Sequence, residues 1–290
     1  MLRTELKESL GFKKRYAQSS VLGTHHYLSK IEPDFKKDQN FMAKRPLRKF
    51  KADLHIHSCL SPCGDWDMSP RRIVQQSLEV GLDLIAICDH NTVENAGAAV
   101  REGRKKGLPV LPGMEVCSRE EVHMLAIFGE LSRALSMQSY VYANLPGENK
   151  PEIFGCQVVA NEHDEVLGEN PRLLIGATRL GLHDIVANTH RLGGLSICCH
   201  VDRPAYGIIN QLGFIPVDLE PDGVELSRHV KLAEAHKLVS GIERFACITG
   251  SDAHFIEDIG KVWTNFRMAA PTIEEIRKSL LKQDGREILV

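Results

Sequence analysis

The segment ADLHIHS places His55 and His57 two residues apart at the end of an apolar run. On a strand, side chains at i and i+2 project from one face, so two imidazoles in this register can grip one metal ion together. The same residue types return further along: Asp89 and His90 in AICDHN, Glu115 in VLPGMEV, His123 in EVHMLAIF, His200 in SICCH, and Asp252 with His254 in CITGSDAH. A single histidine at a strand end is most often a hydrogen-bonded structural residue. Here such groups recur run after run, each read as closing an apolar stretch. Chance would scatter the 13 histidines over helices and loops as well; His25, His26, His163, His183, His190, His229 and His236 do fall there and are set aside. Imidazoles mixed with carboxylates accept manganese, iron or zinc, which is the donor set of a centre that activates water beside an anionic substrate.

Such ligands meet only if the elements carrying them bring one set of ends together. From about Phe50 the text alternates short apolar runs with helical stretches, a pattern that predicts βα units and a parallel sheet. Strands are expected over Ala52–His57, Leu82–Cys88, Pro109–Val116, Val122–Phe128, Leu195–Cys199, Gly223–Leu226, Phe245–Thr249 and Val262–Met268. Helices are expected over Pro70–Val80, Val93–Lys106, Leu182–Leu192, Pro204–Leu212, Lys231–Ser240 and Thr272–Leu281. Ser69 is the natural N-cap of the first, with Pro70 at its first position, and Thr272 caps the last with Glu275 as its box partner. The candidate ligands then stand at the C-terminal ends of strands, the face on which barrel enzymes carry their sites. Residues of about Ser139–Pro171 break the rhythm with clustered Gly and Pro and a hairpin pattern around Asn161–Asp164, which reads as an insertion over one barrel face. The expected organisation is a basic extension over residues 1–50 and a barrel domain over 51–290.

A chain of 290 residues with 43% hydrophobic content can bury a core of barrel size. No apolar run approaches the roughly 20 residues that span a bilayer, and the first residues interleave charge with apolar side chains as no secretory leader does, so a cytoplasmic protein without membrane contact is expected. The eight cysteines sit mostly inside apolar runs without any CxxC pair, which points to free thiols that pack. The net charge of −2 hides an asymmetry, because residues 1–51 hold 13 Lys+Arg against 5 Asp+Glu. Such a head either lies solvated or meets nucleic acid through weak, salt-sensitive contacts.

In their order, HIHS, CDHN, PGMEV, EVHML, CCH and GSDAH resemble the successive motifs of the PHP (polymerase and histidinol phosphatase) domain over about Asp53 to His254. The resemblance implies a distorted (β/α)7 barrel and a cluster of two or three divalent ions that hydrolyses phosphate esters. It implies a first ion on His55, His57, Glu115 and Asp252, a second on Glu115, His123 and His200, and a third on His90, His254 and an acidic residue of the loop after His57. That loop reads SPCGDWDMSP, longer than the family's common form. Asp65 is the chosen ligand, while Cys63 and Asp67 stay open, and a thiolate at Cys63 favours zinc. Asp89 is expected to orient a liganding imidazole or a water. Arg203, just beyond His200, is the expected phosphate clamp, with Arg119 as a second candidate; each is alternatively a surface ion pair, as is Lys261. The expected reaction is hydrolysis of a phosphomonoester, or of a short nucleotide or oligonucleotide phosphodiester, by a metal-bound hydroxide. The alternatives are a nucleic-acid-binding or regulatory protein with a structural metal cluster, and a metal-dependent amidohydrolase.

Overall fold

A computed structural model describes residues 46–230 and 241–289. The predicted helix at Lys231–Ser240 and most of the basic extension lie outside these residues. The frame is a nine-stranded sheet of β1 (Arg48–Ile56), β2 (Leu84–His90), β3 (Val110–Cys117), β4 (His123–Ile127), β7 (Leu195–Cys198), β8 (Gly223–Leu226), β9 (Cys247–Thr249), β10 (Thr264–Met268) and β11 (Glu287–Leu289). Its order is β11-β10-β1-β2-β3-β4-β7-β8-β9. The sheet comes close to closing on itself where Ile56 bridges Ala253 in parallel and the His57 N–H donates to the Ala253 carbonyl at 3.0 Å. Strand β1 begins inside the stretch read as extension, because Arg48–Ala52 pairs with β10.

The expected parallel order fails at β10, which pairs antiparallel with both β1 and β11, and at β4. β4 runs antiparallel to both β3 and β7. Only Ser118–Val122 separates it from β3, too short for a parallel crossover, and the Ser118 N–H closes this turn on the Val122 carbonyl at 2.9 Å. His123 therefore opens its strand rather than closing it, yet the reversal delivers it to the same rim as the other motif residues.

Period-two alternation then divides the strands between two apolar layers. Leu54, Ala86, Cys88, Leu111, Leu125, Ile127, Ile197 and Ile248 fill the barrel interior. Ile85, Ile87, Met114, Met124, Ala126 and Val224 face outward, against Ile73 and Val74 of α1 (Pro70–Glu79), Ala96 and Ala99 of α2 (Ala96–Lys106), Ala134 and Met137 of α3 (Leu131–Tyr142), and Ile185 of α5 (Leu182–Arg191). Ser69 caps α1 as predicted, its hydroxyl accepting from Arg72 N, and Thr272 caps α7 (Ile273–Leu280) by accepting from Glu275 N. The Glu275 carboxylate does not close the box; it is taken by Arg286 at 2.7 and 2.9 Å and by Ala269 N at 2.7 Å. The helix expected from Pro204 starts later, as α6 (Ile208–Leu212). Residues 203–207 instead fold into a turn in which Tyr206 takes a positive φ.

Between α3 and α5 lie the short α4 (Pro151–Phe154) and the hairpin of β5 (Val158–Ala160) with β6 (Val166–Glu169). Val158 N and O bond Cys59 and Asn95, which ties the hairpin to the loop after β1. None of the eight cysteines is in a disulfide. No helix among the described residues is long and apolar enough to cross a membrane.

Candidate metal centre

The inward-facing positions that hold apolar residues low in the barrel hold ligand-type residues at its rim. Along β2 this face runs through Ala86 and Cys88 to His90; along β3 it runs through Leu111 and Gly113 to Glu115; along β4 it runs back through Ile127 and Leu125 to His123. In β1 the register against β2 shifts between Asp53 and Ile56. Beyond the shift Ile56 joins the outer layer while His55 and His57 turn into the rim. His200 and Asp252 arrive from the loops after β7 and β9 with φ of 26° and 48°. Strained backbone of this kind in residues other than glycine is characteristic of sites where geometry outranks conformational ease.

Glu115, fully buried, is the hub. Its carboxylate lies 2.8 Å from His123 Nδ1, 3.0 Å from His90 Nδ1, 3.2 Å from His200 Nε2, and 3.5 and 3.4 Å from the Nε2 atoms of His55 and His57. Asp252 adds an oxygen 3.5 Å from His55 Nε2 and 3.1 Å from His57 Nε2. The two imidazoles are oriented from behind. His55 Nδ1 donates to Glu225 at 2.8 Å; His57 Nδ1 donates to the Ser61 hydroxyl at 2.9 Å, which donates in turn to Asp89 at 2.7 Å. With their protons held at Nδ1, the Nε2 lone pairs of His55 and His57 face one another 3.1 Å apart. Without a metal ion a proton must bridge this pair; a divalent ion between the two nitrogens and the carboxylates takes the place of that proton, so the donor set fits such an ion. Buried nitrogens without hydrogen-bond partners at His200 Nδ1 and His123 Nε2 extend the same polar face.

The titration behaviour reflects the same concentration of charge. Burial would raise Glu115, but the surrounding imidazoles of His123, His55 and His90 hold it well below the carboxylate range. Burial would likewise raise Asp252, and His55 and His57 keep it low. For His55, burial pulls down while the charges of Glu225, Asp252 and Glu115 push well above the usual value. His123 is the exception, brought to about 4 chiefly by burial.

The remaining expectations divide. Asp89 is a positioning group: buried, it accepts from Ser58 N, Ser58 Oγ and Ser61 Oγ, all at 2.7 Å, and so fixes the loop after β1 and, through Ser61, His57. Asp65 accepts from Asp67 N at 2.9 Å through one carboxylate oxygen, and Asp67 pairs with Arg72. Besides Ser61, the loop side chain that meets the cluster is Cys63, whose Sγ lies 3.3 Å from His90 Nε2. Desolvation would raise this thiol, yet the charge on His90 and hydrogen bonds with His254 and His90 bring it down to about 5. Arg203 pairs with Asp252 at 2.5 Å, not with Asp202, which accepts from Ser227. Arg119 is exposed against Glu120 and Lys261 pairs with Asp258; neither meets the cluster. Two further groups of the site carry no obvious motif. Glu225 is the inward residue of the short strand VEL, where strict alternation marks it, and Tyr206 stacks on His123 with ring centroids 4.3 Å apart and planes at 12°.

Fold and site together define a barrel hydrolase scaffold with a histidine-carboxylate metal centre at its rim. The chain belongs to the PHP family: the PHP domain matches residues 53–191, and the PHP-associated segment matches residues 243–284. Among curated relatives it is 30% identical over 79 residues to a 5'-3' exoribonuclease of Haemophilus influenzae, covering 27% of this chain and 28% of that protein. It is 29% identical over 100 residues to an uncharacterised protein of Methanocaldococcus jannaschii, covering 31% and 58%. The chain thus spans less than two thirds of either. The lesion-specific endonuclease Q of Pyrococcus furiosus superposes with a TM-score of 0.62 at 20% identity over 84% of this chain and 58% of that one. An endonuclease Q has also been seen in complex with a 27-mer duplex substrate bearing an abasic lesion at the active site. A structure described as a metal-dependent phosphoesterase of Bifidobacterium adolescentis gives a TM-score of 0.51 at 20% identity, covering 80% and 96%.

Proposed function

We propose that this chain hydrolyses phosphate esters, as phosphomonoesters or short nucleotide phosphodiesters, at a centre of two or three divalent ions. The observation that carries the reading is the convergence of five imidazoles on the one buried carboxylate of Glu115, with Asp252 completing the set around His55 and His57. His55, His57, Glu115 and Asp252 would hold one ion, and Glu115 would share a second with His123 and His200. Manganese, iron or zinc bound there neutralises the ester and lowers the pKa of water.

The chain's own residues supply the rest. Glu225 and the Ser61–Asp89 pair lock the tautomers of His55 and His57, so that Nε2 faces the centre in both. Arg203, with 31% of its side chain exposed at the rim, has donors to spare beyond its bond to Asp252 and would meet the phosphate as it enters. Tyr206 covers the outer face of His123. The test is hydrolysis of an aryl phosphate and of short oligonucleotides with manganese, comparing the parent with Asp252→Ala. The variant should lose both turnover and bound metal. A fully loaded, active Asp252→Ala would remove Asp252 from the centre, and a metal-loaded parent that hydrolyses no ester would leave a structural cluster in an interaction protein.

A further inference from the structure

We propose that Cys63 is a metal ligand: its thiolate, together with His90 and His254, holds the third ion of the centre and makes that position thiophilic, taking zinc or cobalt in preference to manganese. The inference rests on reading the cluster as a metal centre and goes beyond it by naming a ligand and a metal class. The argument starts from the loop after β1. Gly64 packs so tightly that a Cβ there would stand 2.4 Å from the Ser58 carbonyl oxygen, and its N–H closes a turn on Ser61 at 2.8 Å. The chain therefore folds back over the rim at residues 61–64 and carries Cys63 with it.

The Asp65 N–H then donates to the His254 carbonyl at 2.8 Å, which ties this loop to the one bearing the third histidine. Of the loop's acidic residues, Asp65 accepts from Asp67 N through one carboxylate oxygen and Asp67 pairs with Arg72, and neither makes an ion pair with the histidines of the cluster. What remains to face the histidines is sulfur, 3.3 Å from His90 Nε2. His254 is arranged to complete the set, since its Nδ1 donates to the Asp252 carbonyl at 2.8 Å while its side chain also meets the Cys63 thiol. Donor atoms of His57, His90 and His254 already lie within 4.8 Å of one another. A thiolate with two imidazoles is a soft donor set, suited to zinc and cobalt and poorly matched to manganese.

Cobalt(II) reports the bond directly. The full-length chain reconstituted with cobalt should show the intense near-ultraviolet absorption of thiolate-to-cobalt charge transfer; Cys63→Ser and Cys63→Asp should lose it, with Cys63→Asp still binding the ion through a carboxylate. No such band in the parent overturns the proposal. So does a band of full intensity in Cys63→Ser, which would place the thiolate at Cys199, the buried cysteine near Glu115 and His200. A second measurement needs no variant. Cys63 is the exposed cysteine of the chain, so iodoacetamide should label it in the metal-free parent, and zinc should slow that labelling on the order of tenfold or more, reversibly with chelator. Equal rates with and without zinc also overturn the assignment. Neither readout uses turnover, so a chain that shows the cobalt band but hydrolyses no phosphate ester would sink the proposed function and leave this ligand in place.

Discussion

Glu225 touches no substrate, yet it decides which nitrogen of His55 faces the centre, because a carboxylate 2.8 Å from Nδ1 keeps the proton there. Removing its charge while keeping its shape should loosen that choice. Glu225→Gln is expected to weaken manganese binding by about 10- to 100-fold, as losses of such outer partners commonly do. Titration calorimetry at fixed pH checks this, and parental affinity would reduce Glu225 to a packing residue. Arg203 calls for a different pair of variants. A bidentate clamp depends on the planar fork as well as the charge, so Arg203→Lys should fail to recover what Arg203→Ala loses. The expected fall is about 2–4 kcal/mol in transition-state stabilisation, roughly 30- to 1000-fold in kcat/KM, at unchanged metal content. Turnover of Arg203→Ala close to the parent's would discard the clamp. At this scale the sequence shows the rim histidines, Glu115 and Asp252 plainly, because each interrupts or closes an apolar run. It does not distinguish Cys63 from Asp65, since a loop has no periodicity and the choice rests on the turn at Gly64.

The strands were legible almost throughout, because buried strands of a barrel are written as apolar runs bounded by turn residues. The direction of β4 was not read from its own residues, which would serve either way; the information lies in the five-residue link from β3, too short to cross over. Glu275 escaped for a similar reason. Its spacing from Thr272 fits a capping box, but Arg286, eleven residues on, competes for the carboxylate and wins with a buried two-point ion pair. This pair joins the start of α7 to the end of β10 and the entry to β11. Burial alone would raise Glu275, while the bonds from Arg286 and Ala269 N hold it below its ordinary value. Arg286→Ala strands that carboxylate and should cost about 3 kcal/mol near neutral pH. The sign with pH follows: for a depressed carboxylate, the stabilisation is complete above the unfolded glutamate pKa of about 4.3 and fades as the pH falls through the lower folded value. Urea unfolding of parent and variant should therefore converge in acid, and a gap that stays constant below pH 4 would assign the loss to packing.

At the scale of the whole molecule, charge is divided along the sequence: residues 1–51 are strongly basic, so the remainder, which carries the metal centre, is acidic. An acidic body repels a polyanion at long range, whereas a small phosphate ester meets chiefly the local field of Arg203 and the bound ions. The two substrate classes should therefore respond differently to loss of the basic segment. Deleting residues 1–45 is expected to leave kcat/KM for an aryl phosphate within about twofold of the parent, since β1 and every candidate ligand lie beyond the cut. For oligonucleotides the same deletion should raise KM and flatten its dependence on salt, because each lysine or arginine that pairs with a phosphate releases a counterion, and the slope of log affinity against log salt scales with their number. The measurement is KM for a short single strand at several salt concentrations, with aryl phosphate turnover as the control. If the parent and the truncated protein show the same KM and the same slope, the basic segment does not contact the substrate, and whatever nucleic-acid affinity remains must arise from the rim around Arg203.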